Sequence, residues 1–257
     1  MGFFIALQFL TVLPPAVRRP ISAAELARSQ AYFPLVGLFL GVLLALLDLG
    51  LRAFLPTALA SGLLVVALVL LTGALHLDGF MDTLDGLFGR REPAQRLEVM
   101  KDSRAGSFGV IGVWCLLLLK YLALLSLGEG WRFGALVAMP TLSRWGMAYA
   151  IWAFPYARPQ GTGHAFKEGA GWGKLLLASL VALAVAALAL GSYGVALFLL
   201  AGLAVWLTGR YLVEKLGGLT GDTYGALNEV LETGGLLLLV ALPGLPQLFP
   251  PLGGWLR

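Results

Sequence analysis

The apolar residues of this chain come in runs long enough to cross a lipid bilayer, and nothing else in the sequence restricts the fold as strongly. A hydrocarbon core of ~30 Å takes about 20 residues of helix. Runs of that order lie at 31–51, 57–75, 108–127, 133–154, 174–190, 194–212 and 234–250. The break between the fifth and sixth rests on Gly191-Ser192-Tyr193-Gly194, a turn signal without which the stretch is one helix too long to span. In lipid every backbone polar group must be paired within the segment, so these runs are helices. Of the 257 residues only 12% are charged, against roughly 25% in soluble domains. The expectation is an all-α, polytopic integral membrane bundle with about seven transmembrane helices, forming one domain over residues 1–257. The apolar segment Met1–Leu13 is too short to span, lacks a basic leader and ends at Pro14-Pro15, so it reads as an interfacial or re-entrant helix rather than a signal peptide.

Orientation follows from the basic residues, which favour the cytoplasmic side. With the segment before residue 31 inside, thirteen of the eighteen Lys and Arg fall in cytoplasmic loops, while Arg52, Arg132 and Arg257 fall outside and Lys120 and Arg144 within spans. The formal charge of +4 is therefore a topology signal, and no nucleic-acid partner is expected. By the same count all acids but Asp48 and Glu129 are cytoplasmic, which the positive-inside rule does not require. Acids gathered with bases on one face point to a site there. The lone Cys115 sits in an apolar run and cannot form an internal disulfide.

Three clusters carry chemistry. The first is His76-Leu77-Asp78-Gly79-Phe80-Met81-Asp82-Thr83-Leu84-Asp85-Gly86. Asp78, Asp82 and Asp85 share about 60° of one helical face. Carboxylates ~5–6 Å apart at an effective dielectric near 20 repel by roughly 3 kcal/mol per pair. Hard oxygen donors under that strain suit Mg²⁺ or Mn²⁺; the plain alternative is a solvated acidic helix end. His76, beside them, is a candidate base or an orienting group. The second cluster is Lys101-Asp102-Ser103-Arg104-Ala105-Gly106-Ser107-Phe108-Gly109, where Lys101 and Arg104 can grip phosphate and the glycines let an anion approach a helix N-terminus. The third is Gly217-Gly218-Leu219-Thr220-Gly221-Asp222 through Asn228-Glu229, with Asp222 and Glu229 on one helical face and Asn228 adding an amide. Arg144 inside a span is a functional candidate unless a structural partner holds it. Arg158, in the loop that ends at His164, is a further phosphate donor, and His164 reads as an exposed loop residue.

Taken together, FFIALQFLTVLP at 3–14, YFPLVG at 32–37, HLDGFMDTLDGLFG at 76–89, MKDSRAGSFG at 100–109 and GLTGDTYGALNE at 218–229 resemble the cobalamin synthase family, the adenosylcobinamide-GDP ribazoletransferases. The blocks at 76–89 and 100–109, in that order, are the most specific. The resemblance implies a Mg²⁺-dependent enzyme of the bacterial plasma (inner) membrane, acting from the cytoplasmic side at the last stage of vitamin B12 assembly. It would join adenosylcobinamide-GDP to α-ribazole or its 5′-phosphate and release GMP. On that footing Asp78, Asp82 and Asp85 take the metal. Lys101, Asp102, Ser103, Arg104, Arg144, Arg158 and Asn228 contact substrate, and His76, Asp82, Asp222 and Glu229 are the catalytic candidates. A homo-oligomer, or contact with other corrinoid-pathway enzymes, is compatible with this reading.

CDP-alcohol phosphatidyltransferases also cluster aspartates, but the Ala-Arg of their DGxxAR pattern is missing after Asp78-Gly79. Another membrane transferase using nucleotide-diphosphate lipids is the nearest alternative. A transporter is a different class, and it would place its acids near the bilayer midplane.

Overall fold

The computed structural model describes residues 1–88 and 92–241. Arg90, Arg91, Arg257 and the second half of the predicted run 234–250 lie outside those residues. Among the described residues the chain forms twelve α-helices: α1 (Gly2–Leu10), α2 (Ala23–Ser29), α3 (Phe33–Arg52), α4 (Thr57–Thr72), α5 (Leu75–Leu87), α6 (Pro93–Val99), α7 (Ser107–Ser126), α8 (Glu129–Ala153), α9 (Thr162–Glu168), α10 (Trp172–Leu190), α11 (Ser192–Leu216) and α12 (Gly221–Ala241). Among the described residues the one β-type contact is an isolated parallel bridge between Tyr156 and Leu219.

Four of these pass as membrane crossings by length and apolarity: α3 with the α2 segment before it, α7, α10 and α11. The pair α4 and α5, bent by 89°, makes a fifth if taken as one broken span. The expected number of seven is thus not reached on apolarity alone. The shortfall has a physical cause. Helix α8 carries Arg132 and Arg144, and α12 carries Glu229 and Glu232, all of them buried. Both helices are central. Helix α8 is covered by α3, α10, α11 and α12, so it meets protein rather than lipid along most of its length. The peripheral helices instead present Leu46 and Leu49 on α3, Val110, Ile111 and Trp114 on α7, and Leu199, Leu203 and Trp206 on α11 to the outside. An apolar belt of this extent is stable only against lipid.

Small residues let the central helices approach. A Cβ at Gly37 would stand 2.2 Å from the Pro140 carbonyl oxygen, and one at Gly41 would stand 2.7 Å from that of Leu136. The Gly-x-x-x-Gly spacing on α3 is the membrane packing device that brings backbones into contact. At the outer end the charges assigned to that side find one another. Arg132 donates to both Asp48 oxygens at 2.8 Å and to Ser61 Oγ at 3.0 Å, and Arg52 pairs with Glu129. These contacts tie α3, α4 and α8 together.

The turn between α4 and α5 determines where the acidic helix goes. Gly73 and Ala74 both adopt φ of +58°, and two successive left-handed residues swing the chain through the 89° bend. Helix α5 therefore turns away from the direction of α4 and lies across one end of the bundle. The N-terminal helix α1 does not span; it packs against α2 and α3 and is tied to the end of α4 by a Val12 N–H to Leu71 carbonyl bond of 2.9 Å.

The Asp48–Arg132 pair is buried, and removing Arg132 leaves Asp48, among the described residues, with only its longer contact to Arg52 at 3.6 Å. We expect Arg132→Leu to lower unfolding stability in detergent by about 3–5 kcal/mol, and the double change Asp48→Leu with Arg132→Leu to recover most of that loss. Equal losses in the single and double variants would show that the pair is not what holds these helices together.

Candidate active site

Helices α5 and α12 cross so closely that their backbones touch. A Cβ at Gly79 would lie 2.7 Å from the Asp222 carbonyl oxygen, and one at Gly225 would lie 3.1 Å from that of His76. The crossing sets Asp78 and Asp82 of α5 beside Asp222 in the first turn of α12. Helix α12 begins with a reciprocal cap: Thr223 N–H donates to Thr220 Oγ1 at 3.2 Å, and Thr220 N–H to Thr223 Oγ1 at 2.8 Å. The Ala157 and Leu219 amides donate to the Leu219 and Pro155 carbonyls, each at 2.8 Å, and so pin the 155–158 loop to the start of α12. This delivers Arg158, which donates to Asp222 Oδ2 at 2.8 Å.

The electrostatics of this crossing favour a cation. Burial, followed by the charges of Asp78 and Asp222, pushes the Asp82 carboxyl up to about 7, with Arg158 acting in the opposite sense. Among the described residues, no three His, Cys, Asp or Glu side chains close around one point. A hard cation here would be held by two carboxylates, leaving its other positions for phosphate oxygens and water. That is the usual manner of Mg²⁺, so the donor set fits such an ion.

Asp85 has a different role from its two neighbours. Its oxygens accept the Gly106 amide at 2.8 Å and the Gly109 amide at 2.9 Å, at the N-terminus of α7. The glycines that allow an anion to approach this helix end are thus filled by a side chain of the protein. A Cβ at Gly106 would lie 2.3 Å from Asp85 Oδ1, and one at Gly109 would lie 2.5 Å from Oδ2. The bond fastens the second sequence cluster to the first. Lys101, Asp102, Ser103 and Arg104 follow on an exposed loop. There Arg104 chelates Asp102 through Nε at 3.0 Å and Nη2 at 2.6 Å, which holds the Asp102 carboxyl down at about 2.

Glu229 and Arg144 do not reach the crossing. Glu229 accepts from Lys120 Nζ at 2.7 Å; the same ammonium donates to Glu232 at 2.9 Å, and Glu232 also pairs with Arg144. Arg144 donates to Ser143 Oγ at 3.0 Å as well. Two acids counted as cytoplasmic, Glu229 and Glu232, therefore sit inside the bundle, each opposite a base from α7 or α8. Asn228 beside them is fully buried; its Nδ2 is 3.5 Å from Glu229, and its Oδ1 has no partner among the described residues. The i, i+3 spacing of Glu229 and Glu232, set against one Lys and one Arg in predicted spans, was the available signal for this network.

The sequence reading also missed a pocket of about 200 Å³ beside the crossing. Asp78 and Asp222 line it together with His76, Tyr224, Met147 and Ile151, and Phe9, Phe33 and Phe166 contribute aromatic rings. His76 is 1% exposed, and among the described residues neither of its ring nitrogens has a hydrogen-bond partner.

The fold and site define a helical membrane protein with a carboxylate-lined pocket at one end of the bundle. The model of the CobS family, cobalamin-5-phosphate synthase, matches residues 2–240, and the chain belongs to that family. A protein of Desulforamulus reducens named adenosylcobinamide-GDP ribazoletransferase is 40% identical over 92% of this chain and 94% of its own length. Proteins of the same name from Desulfitobacterium hafniense and Pseudomonas putida are 40% and 42% identical, over 96% and 90% of this chain and 97% and 95% of their own lengths. No solved structure matches the chain.

If Asp85 is a cap, Asp85→Ala should cost about 0.5–2 kcal/mol and speed hydrogen exchange at the Gly106 and Gly109 amides. Asp85→Asn, which keeps an acceptor oxygen, should lose less than half as much. Unchanged exchange at those amides in both variants would remove the capping role.

Proposed function

We propose that this protein is an adenosylcobinamide-GDP ribazoletransferase. It moves the adenosylcobinamide-phosphate group from adenosylcobinamide-GDP to a hydroxyl of α-ribazole or its 5′-phosphate, with GMP as the leaving group. The observation that carries the reading is the meeting of Asp78, Asp82 and Asp222 at the α5–α12 crossing, with Asp78 and Asp222 lining the pocket, in a chain that belongs to the family. The relatives' shared name supplies the substrate identities.

In the reaction the acceptor oxygen attacks the phosphorus that bears the cobinamide. A new P–O bond forms, the bond to the bridging oxygen breaks, and GMP departs with that oxygen. Such a transfer asks for positioning and for neutralised charge. Asp78 and Asp82 would hold Mg²⁺, which when bound offsets the diphosphate charge and the charge on the leaving phosphate. Asp222, in the opposite wall and held by Arg158 and Thr220, is placed to take the proton of the acceptor hydroxyl. Lys101 and Arg104, exposed on the loop fastened by Asp85, would draw in the guanosine side of the diphosphate. Glu229 and Arg144 act at a distance, by keeping α12 in place.

The membrane setting is part of the same reading. Seven helices (α3, α4, α7, α8, α10, α11 and α12) would traverse the bacterial inner membrane, with α8 and α12 protected from lipid by the others. The pocket end, with its basic loops, would face the cytoplasm, where nucleotide substrates are found.

The test is turnover by purified protein in detergent or nanodiscs. Corrinoid product and GMP should form with Mg²⁺ and not with EDTA, and Asp78→Ala and Asp82→Ala should each cut kcat by roughly 10²-fold or more. Full activity of Asp82→Ala at saturating Mg²⁺ would overturn the assignment of the metal. Absence of product from folded wild-type protein with either acceptor would overturn the reaction.

A further inference from the structure

We propose that the pocket between α1, α3, α5, α8, α9 and α12 is the acceptor subsite: it takes the flat aromatic base of the ribazole, His76 donates a hydrogen bond to the base's unsubstituted ring nitrogen, and the ribose emerges between Asp78 and Asp222. The inference rests on the proposed reaction and adds which substrate this pocket holds, and by which end.

Size comes first. An apolar cavity of ~150 Å³ is enough for a benzene ring, while drug-sized ligands need ~300–1,000 Å³. At about 200 Å³ the pocket suits one fused ring system and is too small for a corrin macrocycle or a whole nucleotide. The walls come second. Phe9 and Phe166 meet edge to face at 5.1 Å, and Phe33 and Phe166 at 5.4 Å. Three packed phenylalanines with Met147 and Ile151 form an apolar surface with π-faces and edges, which favours an aromatic guest.

The polar atoms decide which base. His76 and Tyr224 line the pocket, and among the described residues the His76 ring nitrogens and the Tyr224 hydroxyl have no hydrogen-bond partner. Buried groups of this kind are ordinarily hydrogen-bonded, so unpartnered ones on residues that line a pocket mark where a ligand atom goes. A neutral imidazole has one N–H donor and one acceptor, and the phenol adds another donor. A guanine would bring a carbonyl, ring nitrogens, an N–H and an amino group into this apolar box, more polar atoms than these three can pair. The ribazole base brings one ring nitrogen, which needs one donor. The carboxylates at the mouth then meet the sugar hydroxyls, with Asp222 on the side where the proton must be taken.

The test measures binding separately from turnover. Equilibrium binding of α-ribazole, and in parallel of adenosylcobinamide-GDP, is measured in nanodiscs with EDTA present. His76→Leu should weaken α-ribazole binding tenfold or more, leave adenosylcobinamide-GDP within twofold, and be partly rescued by His76→Gln. Thr162→Phe, at the exposed rim on α9, guards against a folding defect. It should weaken binding of the riboside of dimethylated benzimidazole more than that of the unsubstituted one. If both variants bind α-ribazole as wild type does, or if they lose adenosylcobinamide-GDP instead, the subsite assignment is wrong even while turnover stands. If wild-type protein neither binds α-ribazole nor turns over, the proposed reaction fails and the subsite goes with it.

Discussion

Charge inside a membrane bundle must be paired within the protein, and the architecture of this chain is arranged around that need. Each ionised group at bilayer depth costs at least a few kcal/mol when alone. Asp48 is therefore matched by Arg132, and Glu229 and Glu232 by Lys120 and Arg144. These partners come from different helices. The first pair joins α3 to α8, and the second set joins α7, α8 and α12. Apolar packing alone would let these helices slide or rotate, because lipid tails are as apolar as a leucine face. Ion pairs and Gly-backed close contacts instead fix their rotation and depth.

The consequences reach the pocket through α12. Its lower half is locked by Glu229 and Glu232, and its first turn carries Asp222. Helix α5 is laid against that first turn by the left-handed residues Gly73 and Ala74 and by the bare backbone at Gly79. The depth of one helix and the bend of another thus determine where Asp78, Asp82 and Asp222 stand. The same residue type does different work along this path. Asp85 closes a helix end, Asp222 is shared between Arg158 and the pocket, and Glu232 is neutralised by two bases.

Much of this was legible in the sequence, for identifiable reasons. The membrane runs are long, so most of their helices lie within a few residues of the expected limits; the run 108–127, for instance, is helix 107–126. The Asp78, Asp82, Asp85 spacing predicts one face of one helix, and all three are on α5. What spacing does not carry is which partner a side chain meets. Asp85 meets amides twenty-one and twenty-four residues away, and Glu229 meets an ammonium 109 residues away. Helix α8 resembled an ordinary span, and only the fold shows that it is the buried centre. The pocket was hidden for the same reason, since Phe9, Phe33, His76, Phe166 and Tyr224 come from five separate helices.

Charge balance separates the working acids from the structural ones. In the interior, Glu229 and Glu232 face Lys120 and Arg144, and the account closes with no charge left over. At the α5–α12 crossing Asp78, Asp82, Asp85 and Asp222 gather, and Arg158 is the guanidinium that acts on Asp82. Two amides satisfy Asp85, and Arg158 offsets Asp222. Among the described residues, the carboxylates at this crossing outnumber the guanidinium. Burial, and after it the charges of Asp78 and Asp222, raise the Asp82 carboxyl. The interior acids are neutralised pair by pair, whereas carboxylates stand in excess beside the pocket; under the proposed function an external cation would bind there, where a diphosphate brings further negative charge.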